Sequence, residues 1–232
     1  MKKKIVCFAN SRKLRGRCFA GKDIDKLEWI RPVSNRSDEE LYEREECLKN
    51  IECNCIQCRP IIPKLLDIIE VELDRHIGCG HQIENYLIGN SRWKKVGVIK
   101  ASDIDLFLDN IDTNLWVDGY GTWYRKNDKI PIELSTQVTD SLKLIEVALL
   151  TISVKTEGIE FNNPKKKVRG KFQINHKEYI IPITDKIVED EYIQYPEGEY
   201  NFGCGNRIVL CLSLGKEYNG FLYKFISGII QI

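Results

Sequence analysis

The stretch Ile5 to Lys22, IVCFANSRKLRGRCFAGK, is followed closely by Trp29-Ile30-Arg31-Pro32-Val33-Ser34 and sets the reading of the whole chain. Two apolar runs, Ile5 to Ala9 and Cys18 to Ala20, flank a polar tip, Asn10 to Arg17, that carries four bases (Arg12, Lys13, Arg15, Arg17) and no acid. Apolar runs on either side of a polar turn predict two short strands, which anchor whatever the tip holds. A charged hairpin tip is commonly no more than a solvated turn. The same tip also sets a Ser and an Asn beside its cations, the donor-rich set that phosphate oxygens require. Both readings stay open at this point.

A chain of 232 residues, 43% hydrophobic and 30% charged, is long enough for one large core or two small ones. Thirty-five bases against 34 acids leave a net charge of +1, so no bulk field draws the protein to nucleic acid or to a membrane surface. Any polyanion must be held by local patches. Such patches exist: seven bases and no acid in residues 2–17, and five bases in Lys165 to Lys171. Acids concentrate elsewhere, with six in Asp38 to Glu46 and five in Glu189 to Glu199. The apolar run behind Met1-Lys2-Lys3-Lys4 stops at Ala9, too short for a secretory signal, and no window approaches a membrane span. Nine cysteines, an odd number in a chain of this length, fit reduced thiols better than a disulfide framework. A cytoplasmic protein is expected.

Further along, Ser37 to Asn50 reads as a short exposed helix with Leu41 and Leu48 as sparse apolar positions. Strands are expected within Ile61 to Leu73, over Trp93 to Ile99 and over Leu142 to Val154. A helix opening at Ala101-Ser102-Asp103 would bury Leu106, Phe107, Ile111 and Leu115 and close a first unit. Gly119 to Pro131 reads as a linker, with Trp116, Tyr120, Trp123 and Tyr124 either wedged between two domains or exposed for base stacking. Two hairpins complete the chain. One turns at Asn175-His176-Lys177, and the other crosses Gly215 to Gly220 with Phe221, Tyr223 and Phe225 on one face.

Several blocks carry a family resemblance. They are Ile5 to Lys13 with Gly16-Arg17-Cys18 and Ala20-Gly21-Lys22, then Trp29 to Ser34, Leu66-Asp67-Ile68-Ile69 and His81 to Tyr86. Thr184-Asp185, Leu212-Ser213-Leu214-Gly215 and Tyr223-Lys224 follow in order, so the match spans almost the whole chain. Together they resemble the prokaryotic dual OB-containing domain family. The resemblance implies two tandem OB barrels and a nucleic-acid-directed role, often near genome-conflict or defence genes, with a protein partner in such an operon. It implies no catalytic set.

Three groups of residues could carry chemistry. Cys47, Cys53, Cys55 and Cys58, with Cys79 and His81 downstream, could hold a structural zinc, although only Cys55 and Cys58 form a regular Cys-x2-Cys pair. The alternative is an exposed reduced loop. His81 and Glu84 have the residue types of a base and its orienter in a hydrolase-type enzyme, and equally those of a hydrogen-bonded structural pair. Finally, OB barrels lay bases on aromatic faces while cations follow the phosphates. The candidate contacts are Asn10, Ser11, Arg12, Lys13, Arg17, Trp29 and Arg31 in the first unit and Lys165, Lys167 and Arg169 in the second. On charge pattern alone the second cluster reads as a solubilising loop.

The expectation is a mostly β protein of two OB-like barrels, residues 1–118 with an acidic, cysteine-rich insertion at about 37–60, and residues 132–232. Its expected role is recognition of nucleic acid, single-stranded, or of a nucleotide. An enzyme and a protein-interaction adaptor are the competing classes.

Overall fold

The computed structural model describes residues 1–12, 16–36, 41, 62–111 and 115–232. The chain divides into two compact units, Met1–Phe107 and Leu108–Ile232.

In the first unit, β1 (Lys2–Arg12), β2 (Arg17–Asp23), β3 (Trp29–Val33), β4 (Asp67–His76) and β5 (Asn85–Ile88) pair in the order β1-β2-β3-β5-β4, and β4 returns to β1. The sheet is therefore a closed five-stranded barrel in which, among the described strands, β3 and β5 form the parallel pair. A sixth strand, β6 (Lys94–Val98), is appended to β4. Inward positions of β4 alternate as Asp67, Ile69, Val71 and Leu73, the period-two signature of a strand with one face in a core. Ile5, Cys7, Phe19, Ile30, Leu41 and Trp93 complete that core. At Gly21 a Cβ would lie 2.0 Å from the Val6 carbonyl oxygen. Only glycine lets β2 close against β1 there, beside the bulge between Cys7 and Ala9.

In the second unit the strands are β7 (Lys129–Pro131), β8 (Leu142–Val147), β9 (Leu150–Glu157), β10 (Lys165–Ile174), β11 (Lys177–Pro182), β12 (Gly198–Phe202), β13 (Ile208–Tyr218) and β14 (Phe221–Gln231). They form two four-stranded sheets, β11-β10-β9-β12 and β7-β14-β13-β8. The sheets join where β8 passes into β9 at Ala148-Leu149 and where Ile183 bridges Ile226 in parallel. Taking β8 and β9 as one bent strand, the order is that of the first unit: bent strand, β10, β11, β14, β13 and back. An α-helix, α1 (Lys186–Tyr192), fills the connection that leaves the third strand of this order, β11, for the fifth, β13, and is capped by Asp185, whose Oδ1 accepts from the Ile187 and Val188 amides. In the first unit the same connection holds residues 34–66, including the acidic, cysteine-rich stretch.

The two expected hairpins are present with their turn chemistry. Ile174 pairs with Lys177 across Asn175 and His176, and Tyr218 with Phe221 across Asn219 and Gly220. All four turn residues have positive φ, the requirement of a two-residue type I′ turn.

Other expectations need correction. The first hairpin's strands run further, so Asn10 and Ser11 belong to the β1 ladder rather than to the tip. Leu142 to Val154 is two strands in different sheets. The helix at Ala101 is a 3-10 turn ending at Phe107, with Leu106 exposed, and Leu115 is part of the second unit's core. Leu41 is buried, not exposed, and bridges Arg17, while the rest of the helix expected over Ser37 to Asn50 lies outside the described residues. Lys165 to Lys171 is strand, not loop.

The stretch expected as a linker, residues 119–131, is built into the second unit. Lys126 bridges Ile180 of β11, and β7 pairs with Phe221 to Tyr223 of β14, so residues 126–131 fill the seam left between those two strands. Asp128 within it is fully buried and held by Arg125 and Thr122. Trp116 packs on the second unit's core and donates to Asp140 at 2.7 Å, whereas Trp123 is 88% exposed.

Candidate nucleic-acid interface

Within the first unit the described candidates are mostly committed to the fold. Ser11 is buried, and Asn10 donates from Nδ2 to the Pro63 carbonyl. Trp29 is half-buried, edge-on to Phe8, with the Lys22 ammonium 5.1 Å from its ring. Arg31 is buried and its Nη2 lies 2.9 Å from Glu84 Oε1. Arg31, on β3, is thus the counter-charge of a buried carboxylate that stands just before β5. Arg17 opens β2, its backbone paired with Leu41. Lys13, Arg15 and the side chain of Arg12 lie outside the described residues, as do Cys47, Cys53, Cys55 and Cys58.

In the second unit the basic cluster separates into two kinds of residue. Arg169 is buried and forks onto Glu157 through Nε and Nη2. Burial works to raise the Glu157 carboxyl pKa, but the Arg169 bonds and the nearby Arg125 and Lys167 hold it below the usual carboxylate range. Lys165 and Lys167 are exposed and make no ion pair among the described residues. The β9–β10 register sets Lys167 directly opposite Lys155, also exposed, so all three ammoniums stand on one face. Lys155 lies over the Tyr124 ring at 4.2 Å, and Trp123 is the next residue. Glu197 and Lys171, the latter near Glu178 and Glu199, border the patch and keep it from being a uniform cationic field.

Lys155 escapes a reading based on runs of charge, because it stands alone in sequence. Its signal is the hairpin: with strands flanking the Gly158 to Pro164 loop, cross-strand pairing brings it to Lys167.

The second unit also holds a buried ionic centre. Lys224 Nζ donates at 2.8 Å to Asp118 Oδ1 and at 2.8 Å to the Val117 carbonyl, and the Tyr179 hydroxyl donates to Asp118 Oδ2 at 2.7 Å. Burial pushes the Lys224 pKa down against the pull of Asp118, and burial together with the Asp118 contact pushes that of Tyr179 up.

A closed barrel of OB strand order, followed by a half-barrel of sheets in the same order with its parallel contact at Ile183 and Ile226, defines a tandem OB-like protein. The model of the dual OB-containing domain family matches residues 3–229, and the chain belongs to that family. Comparison with curated proteins and with solved structures gives no match. OB barrels commonly bind nucleic acids through the face of their second and third strands and the adjoining loops. Among the described residues no helix is long and apolar enough to cross a membrane.

Proposed function

We propose that this protein is a recognition module for single-stranded nucleic acid, held on the outer face of the second unit. The observation that supports this reading is the trio Lys155, Lys165 and Lys167 on one face of β9–β10, beside Tyr124 and the exposed Trp123. Ammoniums follow phosphates, and an exposed indole offers its face to any base, which gives affinity with little sequence preference. The basic tip between β1 and β2 is the matching element of the first barrel, in the loop position that OB folds use for ligands. A setting among genome-defence genes belongs to the same reading.

The test is fluorescence anisotropy with labelled single-stranded DNA, single-stranded RNA and duplex at two salt concentrations. The single strands should bind more tightly than the duplex. Lys155→Ala/Lys165→Ala/Lys167→Ala should weaken single-strand binding across sequences and flatten the salt slope by about 2, near 0.7 per lost phosphate contact. Thermal stability should not change, since these side chains are exposed. Wild-type affinity in the triple variant, or no binding by the wild-type protein, overturns the proposal.

A further inference from the structure

Below the β13–β14 turn the second unit carries an open groove of about 660 Å³, lined by Gly119, Tyr120, Lys129, Glu133, Gly220 and Phe221 among others. That volume suits a ligand of nucleotide size. Tyr120 is partly exposed, and Phe221 extends into an aromatic row with Tyr223 and the exposed Tyr218. Lys129 Nζ sits 3.7 Å from the centroid of Phe221, a cation held on the aromatic wall. A Cβ at Gly119 or Gly220 would meet nothing within 4 Å, so the backbone leaves the groove open there. Its backbone frame is fixed nonetheless, by the Ile132 amide donating to the Gly220 carbonyl and by β7 pairing with β14.

Glu133 sets the chemistry. It is exposed and makes no ion pair among the described residues. An ionised carboxylate only accepts hydrogen bonds, so it repels phosphate and favours a base edge that offers N–H groups side by side. Guanine does this with N1–H and N2–H₂, whereas thymine and uracil offer a single N–H between two carbonyls. Segment 119–126 links the groove to the lysine face, since Tyr120 lines the one and Tyr124 packs on Lys155 of the other.

We propose that this groove is a guanine-selective nucleobase site. The base lies against Tyr120, Glu133 accepts from its Watson–Crick edge, and Lys129, held over the Phe221 ring, meets its phosphate. This deepens the single-strand reading above and rests on it for the strand-borne case; a free guanine nucleotide presents the same chemistry.

The experiment compares an oligothymidylate with the same oligomer carrying one central guanine, and GMP with UMP by equilibrium dialysis. The guanine oligomer should bind about tenfold more tightly, the scale of one base-edge discrimination. Glu133→Gln should abolish that ratio at unchanged thermal stability, and inosine in place of guanine should reduce it. The triple lysine variant should weaken both oligomers and keep the ratio. Equal affinity for the two oligomers, or a ratio that survives Glu133→Gln, overturns the site while leaving the strand-binding reading intact. If neither oligomer binds, that reading fails and the GMP arm decides for the groove: selective retention of GMP supports it, and equal or no retention of GMP and UMP refutes it.

Discussion

Replacing Asp118 by Ala strips the counter-charge from Lys224, whose side chain is 0% accessible and whose remaining bond is to the Val117 carbonyl. It also leaves the buried Tyr179 hydroxyl without its carboxylate acceptor. Removing one partner of a buried pair costs about 3–5 kcal/mol, because the other charge stays desolvated. For a unit of this size that lowers the melting temperature of the second unit by roughly 10–20 °C. The pH dependence supplies the sharper signature. Burial already lowers the Lys224 pKa, and without Asp118 the folded state disfavours its proton further. The unfolded chain keeps that proton up to the ordinary lysine range, so it binds more protons and stability climbs with pH. Denaturant unfolding between neutral and alkaline pH should therefore show Asp118→Ala recovering part of its deficit as pH rises. Asp118→Asn/Lys224→Met, which removes both charges, should regain most of the loss at neutral pH. A cost below about 1 kcal/mol for the single variant, or a deficit that does not shrink with pH, would refute the reasoning.

The same physics predicts that Glu84→Gln, which removes the carboxylate paired with the buried Arg31, destabilises the first unit by about 3 kcal/mol; a melting curve unchanged from wild type contradicts the pairing. Since Glu157 is held below its ordinary pKa by Arg169, its contribution is present above the unfolded carboxylate value and is lost as pH falls through the folded one. Acid unfolding of Arg169→Met should thus lose the part of its pH dependence that Glu157 supplies, and a profile parallel to wild type below neutrality argues against this. For the thiols we propose a closed structural zinc site on Cys47, Cys53, Cys55 and Cys58, which predicts equimolar zinc in protein purified without added metal and slow thiol titration in the folded state. A negligible zinc content, or thiols that titrate at once, removes the proposal.

Much of the architecture is legible because barrels of short strands advertise their turns. Asn175-His176 and Asn219-Gly220 supply the positive φ that two-residue turns demand, and the alternation flanking them fixes which side faces inward. Charge is less legible. Arg31 and Arg169 read as surface cations, since arginine usually is one, yet each is buried by a carboxylate that sequence distance hides: Glu84 lies across the parallel β3–β5 pair and Glu157 across the β9–β10 hairpin. Lys165 and Lys167 come from the same kind of run and stay exposed. The apparent linker misled because glycines and aromatics between two apolar segments resemble a connection, while the pairing of Lys126 and β7 depends on strands far away in the chain. Helix α1 carried a cue in Asp185, an N-cap residue before a run of helix formers, but only seven residues follow it.

That pairing has a consequence for how the protein is made. The strand at Lys129–Pro131 finds its partner at Phe221–Tyr223, so the seam between β11 and β14 stays unsealed until the final strand has left the ribosome. All strands of the first barrel precede residue 100, which allows it to mature on the nascent chain while the second is still being synthesised. During that interval the half-built second unit exposes the unpaired edge of β11, and the early presence of Lys126 beside it, already able to pair with Ile180, shields part of that edge from neighbouring polypeptides.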